Sequence, residues 1–116
     1  DNVVLAQYSE FARTLVPNGG AGTDHAWGGN HFILGGALEG GHVIGNYPSE
    51  LRRGLGLVLD DSRGRLVPDT PFDADWHGIA QWFGVDPADL PDVIPNMDNF
   101  VNVPGALFEM ADLFGS

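Results

Sequence analysis

The sequence predicts an α/β unit with glycine-rich loops and a small β-hairpin, and three observations predict it. Two short apolar runs, Val3-Val4-Leu5-Ala6 and His31-Phe32-Ile33-Leu34, have the length of strands, while one later segment repeats its apolar residues at helical spacing. The 17 Gly and 8 Pro among 116 residues predict many turns and little long helix. The first run is rich in β-branched residues and reads as a buried strand that delivers Gln7, Ser9 and Glu10 at its C-terminal end, where open α/β sheets place their binding sites. Pro17-Asn18-Gly19-Gly20-Ala21-Gly22-Thr23 is a loop, with three glycines free to take positive φ. The second run follows Asp24-His25-Ala26-Trp27-Gly28-Gly29-Asn30 and predicts another buried strand.

Gly40-Gly41 before His42-Val43-Ile44 predicts a turn and a hairpin strand, closed by the loop Asn46-Tyr47-Pro48-Ser49. Leu55 to Leu59, the turn Asp60-Asp61-Ser62-Arg63-Gly64 and Arg65-Leu66-Val67-Pro68 predict a second hairpin. Trp76, Ile79, Ala80 and Phe83 recur at i, i+3, i+4 and i+7, the stripe of an amphipathic helix that Asp73 or Asp75 would cap and that Gly84 would stop. Asp86 to Leu90 predicts a further helical turn, and Leu107, Met110, Ala111 and Phe114 predict a last helix over 106–114. Residues 1–116 have the length of a single small unit, or of part of a larger one.

Charge narrows the partners. Sixteen Asp and Glu stand against five Arg and no Lys, a net charge of −11 that repels phosphate backbones and anionic lipid, so neither nucleic acid nor a membrane surface is an expected partner. No apolar run approaches the ~20 residues of a membrane helix. With no Cys there are no disulfides, thiolate metal sites or Cys nucleophiles. The chain opens at Asp1 with neither Met nor a signal-like stretch, which fits a processed or excised piece of a longer protein.

Three polar groups could carry chemistry: Ser9-Glu10 with Arg13, the pair Asp24-His25, and His31. Asp and His supply oxygen and imidazole ligands for zinc, manganese or iron, and adjacent residues converge on one ion in a loop, since a strand would point them to opposite faces. The same residues have an ordinary reading. Asp24 can cap a turn, His25 can bond backbone carbonyls, Glu10 and Arg13 can form a local ion pair, and His31 can pack at a strand edge. Asp73-Ala74-Asp75 is not the start of an EF-hand, because Gly84 falls where the bidentate Glu belongs. The chain has neither a phosphate-binding Gly-x-x-x-x-Gly-Lys loop nor a Gly-x-Ser-x-Gly elbow. Of the three Trp, only Trp27, in the Asp-His loop, is a candidate for sugar stacking.

Taken together, Tyr8-Ser9-Glu10-Phe11-Ala12-Arg13-Thr14, Asn18-Gly19-Gly20, Gly22 through Phe32, Leu34-Gly35-Gly36, Gly40-Gly41 and Gly45-Asn46-Tyr47-Pro48 resemble the C-terminal region of the bacterial family called domain of unknown function 1501. Arg63 to Pro68, Ile79 to Val85, Val93 to Asn96 and Asn99-Phe100 extend the resemblance over most of the chain. It departs from the family pattern at Ala12 and Ala26, where Gly is usual. The resemblance implies the C-terminal part of an alkaline-phosphatase-like or sulfatase-like three-layer α/β/α sandwich, with metals at the C-terminal ends of strands. It implies a divalent metal (zinc, manganese or calcium) held by Asp24, His25 and Glu10, with Glu10 and Arg13 as catalytic groups, Arg13 stabilising a developing anion.

The function so implied is that of an exported, periplasmic or extracellular bacterial hydrolase-like protein acting on phosphate or sulfate esters. A non-catalytic structural or assembly component of the cell surface that keeps the fold is the alternative. The expected partners are a missing N-terminal portion or another protein chain, with a homo-oligomer also open.

Overall fold

In a computed structural model of the chain, residues 2–115 are described. Four short strands are present among them: β1 (Val4–Gln7), β2 (Ala12–Arg13), β3 (His25–Ala26) and β4 (Phe32–Gly35). They form two separate two-stranded sheets, β1 with β4 and β2 with β3. Three helices follow, α1 (Asp73–Trp82), α2 (Leu90–Val93) and α3 (Met110–Phe114), with a 3-10 turn at Met97–Asn99. No helix of the described residues is long and apolar enough to cross a membrane.

Both apolar runs become strands as the sequence predicts, but not buried ones. Along β1 and β4, half-buried Val4, Ala6, Ile33 and Gly35 alternate with exposed Leu5, Gln7, Phe32 and Leu34. A two-stranded ribbon has one covered face at most, so the apolar residues of its other face stay in solvent.

Tertiary contacts sort the chain into two compact units. One comprises Asp1–Val4, Leu34–His42 and Thr70–Ser116, and the other Leu5–Ile33 and Val43–Asp69. In the first, α1 packs on α3 and α2. Ala80, Leu90, Ile94 and Met97 are buried together, with Val85 and Leu107 packed against them. The buried side of α1 is not the expected stripe. Ile79 and Ala80 are buried as predicted, but Trp76 is 40% and Phe83 78% exposed, while Ala74, His77 and Gly78 are buried. The cause is close approach at Gly78, where a Cβ would stand 2.8 Å from Leu113 Cδ1 and 3.1 Å from the Glu109 carbonyl. A glycine lets α3 and the backbone of residues 108–109 before it come near the helix backbone, and this turns α1 about its axis. His77 Nδ1, 2.8 Å from the Phe108 carbonyl, carries the proton and donates it, which satisfies a buried polar ring.

Helix ends also differ from expectation. Phe72 occupies the N-cap of α1 and no side chain caps it, so neither Asp73 nor Asp75 has that role. Gly84, at φ 90, does end the helix. The last helix is shorter than predicted and begins with a reciprocal cap, Glu109 accepting from the backbone of Asp112 while Asp112 accepts from Glu109 N–H.

The second unit is held by backbone bonding. The predicted hairpin of 55–68 forms, with an antiparallel bridge between Val58 and Leu66 flanked by Leu59 N–H to Arg65 O and Val67 N–H to Leu57 O. On its other side the returning segment accepts from Leu15, Val16 and Gly28 N–H through Gly64, Arg63 and Leu66 carbonyls. No strand forms at His42-Val43-Ile44, where Val43 is 77% exposed and its apolar side chain has no covering partner to fix it.

Candidate functional site

The loop between β2 and β3 is organised by Asn18. Its Oδ1 accepts from Gly20 and Gly22 N–H at 3.0 and 3.1 Å, and its Nδ2 donates to Asp24 Oδ1 at 2.8 Å. Asn18 N–H reaches the Gly22 carbonyl and Ala21 N–H the Asn18 carbonyl, closing a tight turn. The residue in the left-handed region is Ala21 (φ 59), and Gly19, Gly20 and Gly22 do not use the freedom the sequence reading assigns them.

Asp24 closes this loop onto the hairpin. Its Oδ2 lies 2.9 Å from Arg63 Nε, and Arg63 in turn donates from Nη1 to the Pro17 carbonyl. Thr14, buried, pairs its backbone with the Asp24 carbonyl and accepts Asp24 N–H on Oγ1. The hydrogen bond from Asn18 holds the Asp24 carboxyl below the ordinary range, against partial desolvation, with the positive charges of Arg63 and Arg65 adding to it. Asp61 has a similar task in the hairpin turn. It accepts from Arg63 and Gly64 N–H on Oδ1 and pairs with Arg65 Nη1 at 2.7 Å on Oδ2, and the bond from Arg65 lowers its carboxyl as well.

β2 and β3 pair antiparallel with Arg13 opposite His25 and Ala12 opposite Ala26. The pleat therefore puts Arg13 and His25 on one face. The His25 ring stacks on Phe11 with centroids 3.9 Å apart, and the Arg13 guanidinium lies 5.1 Å from the centre of the same Phe11 ring. Arg13 Nη1 donates to the Thr23 carbonyl, while Arg65 Nε donates to the His25 carbonyl from the hairpin side. Arg13 and His25 are both exposed, so two nitrogen-bearing side chains stand side by side in solvent. Residues twelve apart in sequence are thereby joined, with Phe11 as the shared contact that sequence reasoning missed; an aromatic residue two before an arginine is a faint signal for it.

The other expected site residues are placed as follows. Glu10 is exposed in the bend before β2. His25 begins a strand, so Asp24 and His25 do not share the loop geometry that would aim both at one ion. Both Asp24 oxygens are engaged, so a metal role would require it to give up Asn18 or Arg63. Among the described residues, no group of three or more His, Asp or Glu side chains could hold a metal ion together. His31 lies 4.9 Å from Tyr8, ring centre to ring centre. Trp27 is exposed, and Ala12 and Ala26 face each other across the strand pair. A shallow recess of about 80 Å³ lies nearby, walled by Gly28, Leu57, Leu66 and Pro68 and rimmed by Tyr47 and the hydrogen-bonded pair Asn46 and Asp69.

A family model described as protein of unknown function (DUF1501) matches residues 1–53. The match supports the resemblance over the stretch that holds Glu10, Arg13, Asp24 and His25, and it does not extend to the pieces from Arg63 onward. No curated protein matches the chain. No solved structure matches it either.

Proposed function

We propose that the chain is the C-terminal part of an exported hydrolase-like protein that acts on phosphate or sulfate esters, built as part of an alkaline-phosphatase-like three-layer sandwich. The observation that carries this reading is the pairing of Arg13 with His25 on one open face of β2 and β3. A guanidinium that spends Nη1 on the Thr23 carbonyl keeps donors for an anion, and an imidazole N–H beside it supplies another. Phe11 holds both in place by stacking, so the face is preorganised for a tetrahedral oxyanion. Glu10 is the carboxylate next in the chain, and in this reading it orients the substrate or a ligand. A divalent ion, zinc, manganese or calcium, would draw on Glu10 and His25 and on ligands from the rest of a larger protein, since Asp24 is committed to Asn18 and Arg63.

Hydrolysis of p-nitrophenyl phosphate and p-nitrophenyl sulfate by the complete protein tests the reading. Arg13→Ala lowers kcat/KM by about 100-fold, in line with removal of one oxyanion donor. Turnover of neither ester, or turnover indifferent to Arg13→Ala, overturns it.

A second reading is a structural or assembly component of the cell surface with the fold kept and the chemistry lost. It is favoured by the structural employment of both Asp24 oxygens and by the apolar residues Val3, Leu5, Phe32 and Leu34 left in solvent. Metal analysis separates the two: stoichiometric transition metal in the purified complete protein supports the enzyme, and weak calcium or magnesium alone supports assembly.

A further inference from the structure

Charge is divided between the two units very unequally. The unit comprising residues 1–4, 34–42 and 70–116 holds ten of the sixteen Asp and Glu residues and none of the five Arg. Within it an aromatic row lies at the surface. Trp82 stacks on Phe114 with centroids 4.9 Å apart and planes 5° from parallel, and Phe83 follows at 6.2 Å. Phe83 is 78% exposed, the highest value among the large apolar side chains of the described residues. Two carboxylates meet residues that adjoin the row in sequence. Glu39 donates its N–H to the Leu113 carbonyl and brings its Oε2 to 3.3 Å from where a Cβ on Gly115 would stand, one residue after Phe114. Glu109 accepts from Gln81, the neighbour of Trp82, on Oε2.

We propose that this row, with Glu39 and Glu109, is a docking face for a basic segment of another protein, one that presents Arg beside apolar side chains. Charge complementarity selects that occupant. A guanidinium gains from both an aromatic face and a carboxylate, and the unit contains no Lys or Arg of its own to compete for either. An acidic or anionic partner meets repulsion from ten carboxylates. A second copy of this chain is a poor occupant as well. In a symmetric pair the same face meets itself and brings like charges together. Phe83 is the anchor, because a ring so exposed contributes little to the fold and offers most of its surface to a partner.

Calorimetric titration of the 116-residue chain with a synthetic peptide of alternating arginine and leucine tests the proposal, against a control with glutamate in place of arginine. The arginine peptide binds and the glutamate peptide does not. Phe83→Ser weakens binding about tenfold, and so does the pair Glu39→Gln with Glu109→Gln, which keeps the cap acceptor on α3. The pair Asp92→Asn with Asp98→Asn, equal in charge removed, leaves Kd within about twofold. Equal losses from both carboxylate pairs would reduce the effect to general attraction by a polyanion and overturn the assignment. Binding of the glutamate peptide, affinity unchanged by Phe83→Ser in a variant with the parent circular dichroism, or self-association of the chain that Phe83→Ser abolishes would each overturn it too.

Discussion

Asp24 binds Asn18 with one oxygen and Arg63 with the other, and this ties a seven-residue loop to a hairpin turn some forty residues away. Its carboxyl and that of Asp61 both titrate below the ordinary value of 3.8 in the folded chain, Asp24 chiefly through Asn18 and Asp61 chiefly through Arg65. The folded state therefore binds fewer protons than the unfolded one in acid. The stability these groups contribute is present above about pH 5 and is lost as pH falls through 3.8 toward the lowered folded values. Thermal unfolding followed by circular dichroism between neutral pH and about pH 3 checks this: Asp24→Asn and Asp61→Asn lower the midpoint at neutral pH and flatten its decline in acid. Parallel curves for parent and variants would remove the carboxylates from the account. The residue types of the site were legible in the sequence, and so was the loop that presents them. The partners were not, because Arg63 and Asn18 meet Asp24 only after the hairpin has docked. Likewise, beyond the faint signal of an aromatic residue two before an arginine, nothing in the linear order indicates that His25 and Arg13 both meet the Phe11 ring, since that follows from a register of pairing.

At the scale of elements, α1 shows how a hydrophobic stripe can be read correctly as helix and wrongly as to face. Spacing of Trp76, Ile79, Ala80 and Phe83 located the helix to within three residues, but the buried side is set by what packs there. Small Ala74 and Gly78 admit Leu113 and the 108–109 backbone, and the large rings at 76 and 83 are left outward. Stability follows the observed face. His77→Ala, which strands the Phe108 carbonyl, costs about 1–3 kcal/mol, and Gly78→Ala a similar 1–3 kcal/mol by overpacking. Phe83→Ala stays within about 0.5 kcal/mol. Urea unfolding of the three variants gives the ranking, and a costly Phe83→Ala with a silent His77→Ala would restore the stripe read from the sequence. The 55–68 hairpin was legible because turn and strands are contiguous. The strand expected at residues 42–44 failed because its β-branched residues found no partner strand.

For the whole molecule, the two apolar runs matter as much as the core. Among the described residues no large side chain is fully buried, and the ten buried apolar residues are four Ala, two Ile, two Leu, one Val and one Met, spread along the chain. A core of that kind offers little surplus over the entropy of ordering. Meanwhile Val3 is 74% exposed, and Leu5, Phe32 and Leu34 are more than half exposed, at alternate positions of a two-stranded ribbon. Alternation places them on the face opposite Val4, Ala6 and Ile33. Leu and Phe at such positions give the isolated chain no benefit from burial, and they expose apolar surface on a ribbon with unpaired edges. The expectation is a low unfolding midpoint together with ANS binding by the folded 116-residue chain. Leu5→Thr with Phe32→Thr keeps β propensity while removing apolar area, so ANS fluorescence falls and the midpoint holds or rises. If instead the double variant unfolds at a clearly lower midpoint, these side chains are packed in the chain alone and the exposed face is not a face awaiting a partner. If ANS does not bind the parent at all, the same conclusion follows, and the reading of the β1 and β4 ribbon as part of a larger sheet loses its physical ground.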